Sequence, residues 1–223
     1  MTDLVIFDLD GVLIDSELLA ARALAEELAD HGHEITIEAV IERFVGVSGA
    51  VLLADLARER GSPLPDDFTE RARARMQALY RRELQPVAGA AGALAALTLP
   101  RCVASNSPVD YIERTLDITG LAGHFAPEAR FSAEMVANPK PAPDVFLHAA
   151  ETMGAAPARC LVIEDSVAGV TAARAAGMTV LGFAGAGHIA DPPAHGARLR
   201  EAGAQHLLDD FAALPDLIEE AAR

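Results

Sequence analysis

The sequence predicts an α/β protein: a doubly wound parallel sheet interrupted once by an all-helical insertion. Three observations carry that reading. From residue 85 onward, short apolar runs alternate with helix-like segments, as βαβ units and parallel sheets do. Residues 17–83 instead read as helical throughout, directly after the first apolar run. Several apolar runs also end in polar groups, which a parallel sheet would gather on one edge.

The elements follow in order. Residues 4–7 (LVIF) form a short buried strand. In TIEAVIERF, Ile37, Val40, Ile41 and Phe44 recur at i, i+3, i+4 and i+7, one face of a helix, and Thr36 is placed to cap it. Ser48 is placed to cap the next helix, which should stop near Gly61. GSPLPDD is a loop, and Asp66 or Asp67 can start a helix running to about Leu84. Beyond Pro86, GAAGALAAL is helical and CVAS is a short strand. Pro108 can open a helix at its first turn, where a missing N–H costs nothing. FSA at 131–133 is a weak strand, 141–153 a helix, CLVIE a buried strand, and 167–176 a helix closed by Gly177. MTVLGF is another strand, and a weaker one near residues 206–208 precedes a terminal helix. The expected organisation is a core of residues 1–15 and 85–223 with a helical domain, 16–84, inserted after the first strand.

The chain has 223 residues, 51% of them hydrophobic and none of them Trp, so Leu, Val, Ile and Ala must fill the core. A formal charge of −15 repels phosphate backbones and anionic membranes, which argues against nucleic-acid and membrane partners. Cys102 and Cys160 lie in apolar runs and read as small buried hydrophobes. No basic leader and no span of ~18 apolar residues is visible, so a soluble cytoplasmic protein is expected, and a monomer is the expected state.

Four positions carry polar groups that a parallel sheet can bring together. The first strand ends in Asp8 and Asp10, the CVAS strand in Ser105 and Asn106, and CLVIE in Glu164 and Asp165. Lys140 stands alone among prolines in NPKPAPD. Carboxylates crowded in one crevice repel, and a divalent cation with hard oxygen ligands, Mg²⁺, makes such a cluster tolerable. That ion and Lys140 would also supply the positive charge an acidic protein needs to hold a phosphate. On an extended strand residues i and i+2 face the same way, so Asp8 and Asp10 can address one substrate. One can attack phosphorus and the other can handle the protons. Ser105, Asn106 and Lys140 would bind the phosphoryl oxygens.

These residues, in this order, resemble the haloacid dehalogenase superfamily of phosphohydrolases. DLDGVLIDS matches its first motif through Asp8, Asp10, Gly11, Asp15 and Ser16. Ser105 in CVASNS matches the second, Lys140, Pro141, Pro143 and Asp144 match the third, and Glu164, Asp165 and Ser166 match the fourth. The resemblance covers nearly the whole chain. It implies a Rossmann-like core with a small helical cap, in the branch of β-phosphoglucomutase-like and phosphoglycolate phosphatase-like proteins. It implies Asp8 as nucleophile and Asp10 as general acid and base. Mg²⁺ would be held by Asp8, the Asp10 backbone carbonyl and Asp165, with Glu164 direct or through water. Ser105 and Lys140 would hold the phosphate, helped by donors at Leu9 and Asn106. True dehalogenases of the superfamily lack the second aspartate, so Asp10 favours phosphoryl transfer over carbon–halogen cleavage. Finer likeness in PRCVASNSP and the KPAPDVFLHAA region points to bacterial sugar-phosphate phosphatases, including those for 6-phosphogluconate.

The expected activity is Mg²⁺-dependent hydrolysis of a small phosphorylated metabolite, a sugar phosphate, through an aspartyl-phosphate. The alternatives are a phosphosugar mutase with the same nucleophile and a non-enzymatic regulator phosphorylated on Asp8. The cap should close during transfer, hinging near residues 15–17 and 84–86. In FVGVSGAV, Gly46, Val47, Ser48 and Gly49 have two readings, a lining of the substrate pocket and a simple turn between two helices. Arg71, Arg73, Arg75, Arg81 and Arg82 read as a solvated face partly paired with Asp66, Asp67 and Glu70, and His124 and His148 as structural. His188, after a strand, could border the site.

Overall fold

Strand β1, Leu4–Phe7, is apolar at every position and buried at every position, as a strand covered on both faces must be. It lies inside a six-stranded sheet with β2 (Arg101–Ser105), β3 (Arg130–Ser132), β4 (Cys160–Glu164), β5 (Thr179–Phe183) and β6 (His206–Leu208). All neighbours are parallel, in the order β3-β2-β1-β4-β5-β6. The structure is a computed structural model, and it describes residues 1–44, 49–61 and 63–221.

Two compact units divide the chain. The first comprises Met1–Asp15 and Gln85–Arg223 and contains the whole sheet. Its helices are α5 (Ala90–Ala96), α6 (Val109–Ile118), α7 (Asp144–Thr152), α8 (Val167–Ala175), α9 (Pro192–Ala202) and α10 (Leu214–Ala221). In chain order these follow α1 (Glu17–Asp30), α2 (Ile37–Phe44), α3 (Gly49–Arg60) and α4 (Phe68–Glu83) of the second unit. Leu4, Ile6, Cys102, Ala104, Val162 and Val180 from the strands pack with Phe146 of α7 and Val170, Ala172 and Ala173 of α8. Small residues on α8 let it lie close to the sheet. Both cysteines are buried, and burial raises both thiols, Cys160 to about 11, so neither is a thiolate near neutral pH.

The register fixes where the strand ends meet. On one side of β1, Phe7 pairs with Val103, and on the other with Ile163. The Asp8 N–H continues this ladder, donating to Ile163 O at 3.0 Å. The strand order changes direction between β1 and β4, and open α/β sheets form their ligand crevice at that point. Asp8 and Glu164 stand on its two sides.

The second unit, Ser16–Leu84, is helical: α1 (Glu17–Asp30), α2 (Ile37–Phe44), α3 (Gly49–Arg60) and α4 (Phe68–Glu83). Its core is Ala21, Ala25, Leu28, Val40, Leu56 and Phe68, with Ile37 and Ile41 packed against it. Thr36 caps α2 as expected, its Oγ1 accepting from the Ala39 N–H at 3.2 Å. The Phe44 side chain and the expected Ser48 cap lie outside the described residues. The arginines of α4 find partners other than those expected. Arg71 Nε donates to Glu27 at 2.7 Å, and Arg75 pairs with Glu26, Glu27 and Asp30, all on α1. An antiparallel neighbour offers carboxylates within reach of guanidinium groups, whereas Asp66 and Asp67 sit at the helix start. Among the described residues no helix is long and apolar enough to cross a membrane.

Two helix starts and one whole helix differ from expectation. Helix α7 begins at Asp144, because a residue preceding a proline is disfavoured in helical conformation, and Lys140 and Ala142 precede Pro141 and Pro143. Pro108 precedes α6 in an extended conformation and does not occupy its first turn. Helix α9 was not expected at all. Its signals are local: Asp191 caps it by accepting from the Ala194 N–H at 3.0 Å, Pro192 and Pro193 open it, and Gly203 closes it at φ 114°. It buries only Gly196 and Leu199, too little for an apolar stripe.

Candidate active site

At the carboxyl ends of β1 and β4, three acidic side chains converge. Asp8, Glu164 and Asp165 are all buried, and each offers a carboxylate oxygen within 4.8 Å of the others. Lys140 reaches the same point from the proline-rich turn before α7. Its Nζ donates to Asp8 Oδ1 at 2.6 Å, Glu164 Oε1 at 2.7 Å and the Ala104 carbonyl at 2.8 Å. The side chain is itself buried, with the ammonium 4.7 Å from the centre of the Phe146 ring.

This arrangement sets the electrostatics. Burial pushes the Asp8 carboxyl up; Lys140 opposes the shift, and Glu164 and Asp10 add to it. Burial works against the Lys140 ammonium, but Asp8 and Glu164 overcome it and hold it above the ordinary lysine range. Lys140 is therefore a permanent cation here. Ionised, Asp8, Glu164 and Asp165 bring three negative charges against its one positive charge. That imbalance, with hard oxygen donors already gathered, fits a divalent cation such as Mg²⁺.

Glu164 is fixed from its other side. Its Oε2 accepts from both the N–H and the hydroxyl of Ser166, each at 2.9 Å. The Ser166 Oγ in turn accepts from the Gly169 N–H at 2.9 Å and caps α8. Gly169 is required at that spot: a Cβ there would lie 1.7 Å from Glu164 Oε1. Gly11 plays a similar part beside Asp165. Its φ is +75°, and a Cβ would lie 2.0 Å from Asp165 Oδ2.

Asp10 is not part of the three-carboxylate group. Its oxygens accept from Ser107 Oγ at 2.8 Å and from the Tyr111 hydroxyl at 2.6 Å. Ser105, buried at the end of β2, accepts through its Oγ from the Ser107 N–H at 3.0 Å, which leaves its own O–H to donate.

A family model described as haloacid dehalogenase-like hydrolase matches residues 2–177. The chain belongs to the haloacid dehalogenase-like hydrolases. It is 33% identical over 180 residues to 6-phosphogluconate phosphatase of Escherichia coli (strain K12), covering 80% of this chain and 81% of that one. A haloacid dehalogenase-like protein from Agrobacterium tumefaciens superposes with a TM-score of 0.91 at 38% identity, over 100% of both chains. A family hydrolase from Deinococcus radiodurans R1, solved with bound phosphate and sodium, gives a TM-score of 0.86 at 34% identity. The match covers 99% of this chain and 96% of that one. Membership makes this chain an enzyme.

Within this haloacid dehalogenase-like hydrolase, the expected residues are placed as follows. Asp8, Lys140, Glu164 and Asp165 meet, with Ser105 at the next strand end. Asn106 is exposed and its amide is spent on structure: Oδ1 accepts from the Lys140 N–H at 2.9 Å and Nδ2 donates to the Lys140 carbonyl at 3.2 Å. The side chain thus clasps the main chain of Lys140 through one N–H and its carbonyl oxygen. Val47 and Ser48 lie outside the described residues, as does Gly46.

Four residues at this hydrolase's site escaped the sequence reading or were left undecided there. Ser107 and Tyr111 hold Asp10. His188 is buried, with Nε2 3.8 Å from Asp165 Oδ2, and burial, then His195, lowers it to about 4, so it is neutral at neutral pH. His195 Nε2 lies 2.7 Å from the Asp165 carbonyl. The sequence signal for His188 was its place after a strand, whereas nothing marked His195, which lies within α9. His148 packs edge-on against Phe131, away from this chemistry, as a structural residue.

Proposed function

We propose that this hydrolase is a Mg²⁺-dependent phosphatase of small phosphorylated metabolites, a sugar phosphate foremost, working through an aspartyl-phosphate on Asp8. The observation that carries the reading is Lys140 bridging buried Asp8 and Glu164 at the switch point, with Asp165 beside them. The 6-phosphogluconate phosphatase relative supports a sugar phosphate as substrate.

The residues would divide the work in two half-reactions. An Asp8 carboxylate oxygen attacks phosphorus, and the bond from phosphorus to the ester oxygen breaks. The departing oxygen takes the electron pair and a proton from Asp10. Asp10, now a carboxylate, takes a proton from water. The water oxygen attacks phosphorus, the bond to Asp8 breaks, and phosphate and the free carboxylate result. Lys140 balances charge on Asp8, and each of its contacts to a phosphoryl oxygen replaces one it makes to a carboxylate or to the Ala104 carbonyl. Ser105 and the main-chain N–H groups of Leu9 and Asn106 would donate to phosphoryl oxygens. Mg²⁺, held by Asp8, Asp165, the Asp10 carbonyl and Glu164 directly or through water, would supply charge that keeps Asp8 ionised and neutralises the phosphoryl group.

The helical unit, inserted directly after the Asp8–Asp10 strand end, would serve as a cap that excludes bulk water. The test is steady-state turnover of p-nitrophenyl phosphate and a panel of sugar phosphates, with and without EDTA. Wild type should be active and lose activity in EDTA; Asp8→Asn should be inactive, and Asp10→Asn nearly so. Full activity in Asp8→Asn refutes the mechanism.

A further inference from the structure

We propose that Tyr111 and Ser107 are positioning residues for Asp10, holding its carboxyl in place through both protonation states. The inference rests on the phosphatase reading, because it concerns the group assigned there to proton transfer. Tyr111 lies in the first turn of α6, 101 positions from Asp10, and donates to Oδ1 at 2.6 Å. Ser107 lies in the turn before α6 and donates to Oδ2 at 2.8 Å. Each oxygen of one carboxylate therefore meets one hydroxyl.

The supports are themselves anchored. The Ser107 carbonyl accepts from Ser132 Oγ at 2.7 Å, and the Ser107 N–H donates to Ser105 Oγ. Ser132 is fully buried at the end of β3, so the turn carrying Ser107 is tied to two strand ends. Tyr111 is fixed by its helical turn, its N–H donating to the Pro108 carbonyl at 3.1 Å.

The choice of hydroxyls matters chemically. Lys or Arg in these places could only donate, and would lock the carboxylate ionised. A hydroxyl donates to a carboxylate and accepts from a carboxylic acid by rotating its O–H. When Asp10 is protonated, one hydroxyl can turn to accept that proton while the other still donates. A group that must give up a proton and then take one back keeps both supports throughout. Its position relative to the departing ester oxygen is then set by the scaffold, and proton transfer depends steeply on such placement.

This makes a specific kinetic claim. A general acid matters most when the leaving oxygen is a poor one. In a two-step reaction kcat/KM reports events up to formation of the phosphoenzyme. The experiment compares kcat/KM of wild type, Tyr111→Phe, Ser107→Ala and Asp10→Asn for an alkyl ester, 6-phosphogluconate, and an aryl ester with an easily expelled phenolate, 2,4-dinitrophenyl phosphate. Tyr111→Phe should lower kcat/KM for the alkyl ester about 10- to 100-fold and that for the aryl ester less than about 3-fold, the pattern of a weakened general acid. Ser107→Ala should show the same selectivity, and Asp10→Asn a larger version of it. Equal losses on both esters, or none, would overturn the inference, since a merely structural defect does not distinguish leaving groups. Should Tyr111→Phe fail to fold, Ser107→Ala decides alone by the same comparison. A wild type that hydrolyses neither ester would instead sink the phosphatase reading itself, and this inference with it.

Discussion

Lys140 offers the sharpest test of how the site is held together. Lys140→Met keeps the length and apolar body of the side chain but removes the ammonium that bonds Asp8, Glu164 and the Ala104 carbonyl. Two buried carboxylates then face each other with no internal cation between them. Breaking a buried ion pair by deleting one partner costs about 3–5 kcal/mol, because the remaining charge is left uncompensated. For a chain of this size, that corresponds to a fall in Tm of about 6–20 °C. The measurement is thermal unfolding by circular dichroism in EDTA, so that no divalent ion takes the lysine's place. The double variant Lys140→Met/Glu164→Gln should recover part of the loss, since one of the opposed charges is gone. A Tm within about 2 °C of wild type for Lys140→Met would refute the view that Lys140 holds these carboxylates together.

The glycine that backs Glu164 and the ion network of the helical unit give contrasting expectations. Gly169→Ala places a methyl group 1.7 Å from Glu164 Oε1, so Glu164 must move away from Lys140. The variant should lose about 1–3 kcal/mol of stability in chemical unfolding and most of its activity, and wild-type kinetics would contradict the packing described. Glu27 is buried under Arg71, Arg75 and His31. Because both arginines keep partial access to water, Glu27→Ala should cost only about 1–3 kcal/mol, measured by urea unfolding, and should leave the chemistry of the core untouched. Incubation with a hexose 1-phosphate should release inorganic phosphate; conversion to the 6-phosphate would show the mutase instead.

Much of the fold was legible because its strands are short apolar runs with sharp polar ends. LVIF before Asp8 and CLVIE before Asp165 announce both the strands and the site, since a parallel sheet gathers such ends on one edge. The strand order was not legible. It depends on pairing between residues far apart, such as Phe7 with Val103 on one side and Ile163 on the other. Helix α9 was hidden because it buries too few large side chains to show a periodic face, although Asp191 and the two prolines mark its start.

The acidic residues and Lys140 were recognisable by type and context; their partners were not. Nothing local marks Ser107 and Tyr111 as holders of a carboxylate about a hundred positions away, or Asn106 as a clasp on the main chain of Lys140. The expected pairing of the α4 arginines failed for the same reason. Nearby acids in the sequence were preferred, whereas packing against α1 supplied Glu26, Glu27 and Asp30.

The proposed mechanism requires a covalent bond between Asp8 and phosphorus. Asp10→Asn should slow release of that bond, so the variant mixed with 2,4-dinitrophenyl phosphate, quenched in acid and digested, should carry one added phosphoryl group on the peptide holding Asp8. A phosphoryl group found on any other residue, or phosphate release with no labelled peptide at any quench time, would contradict it.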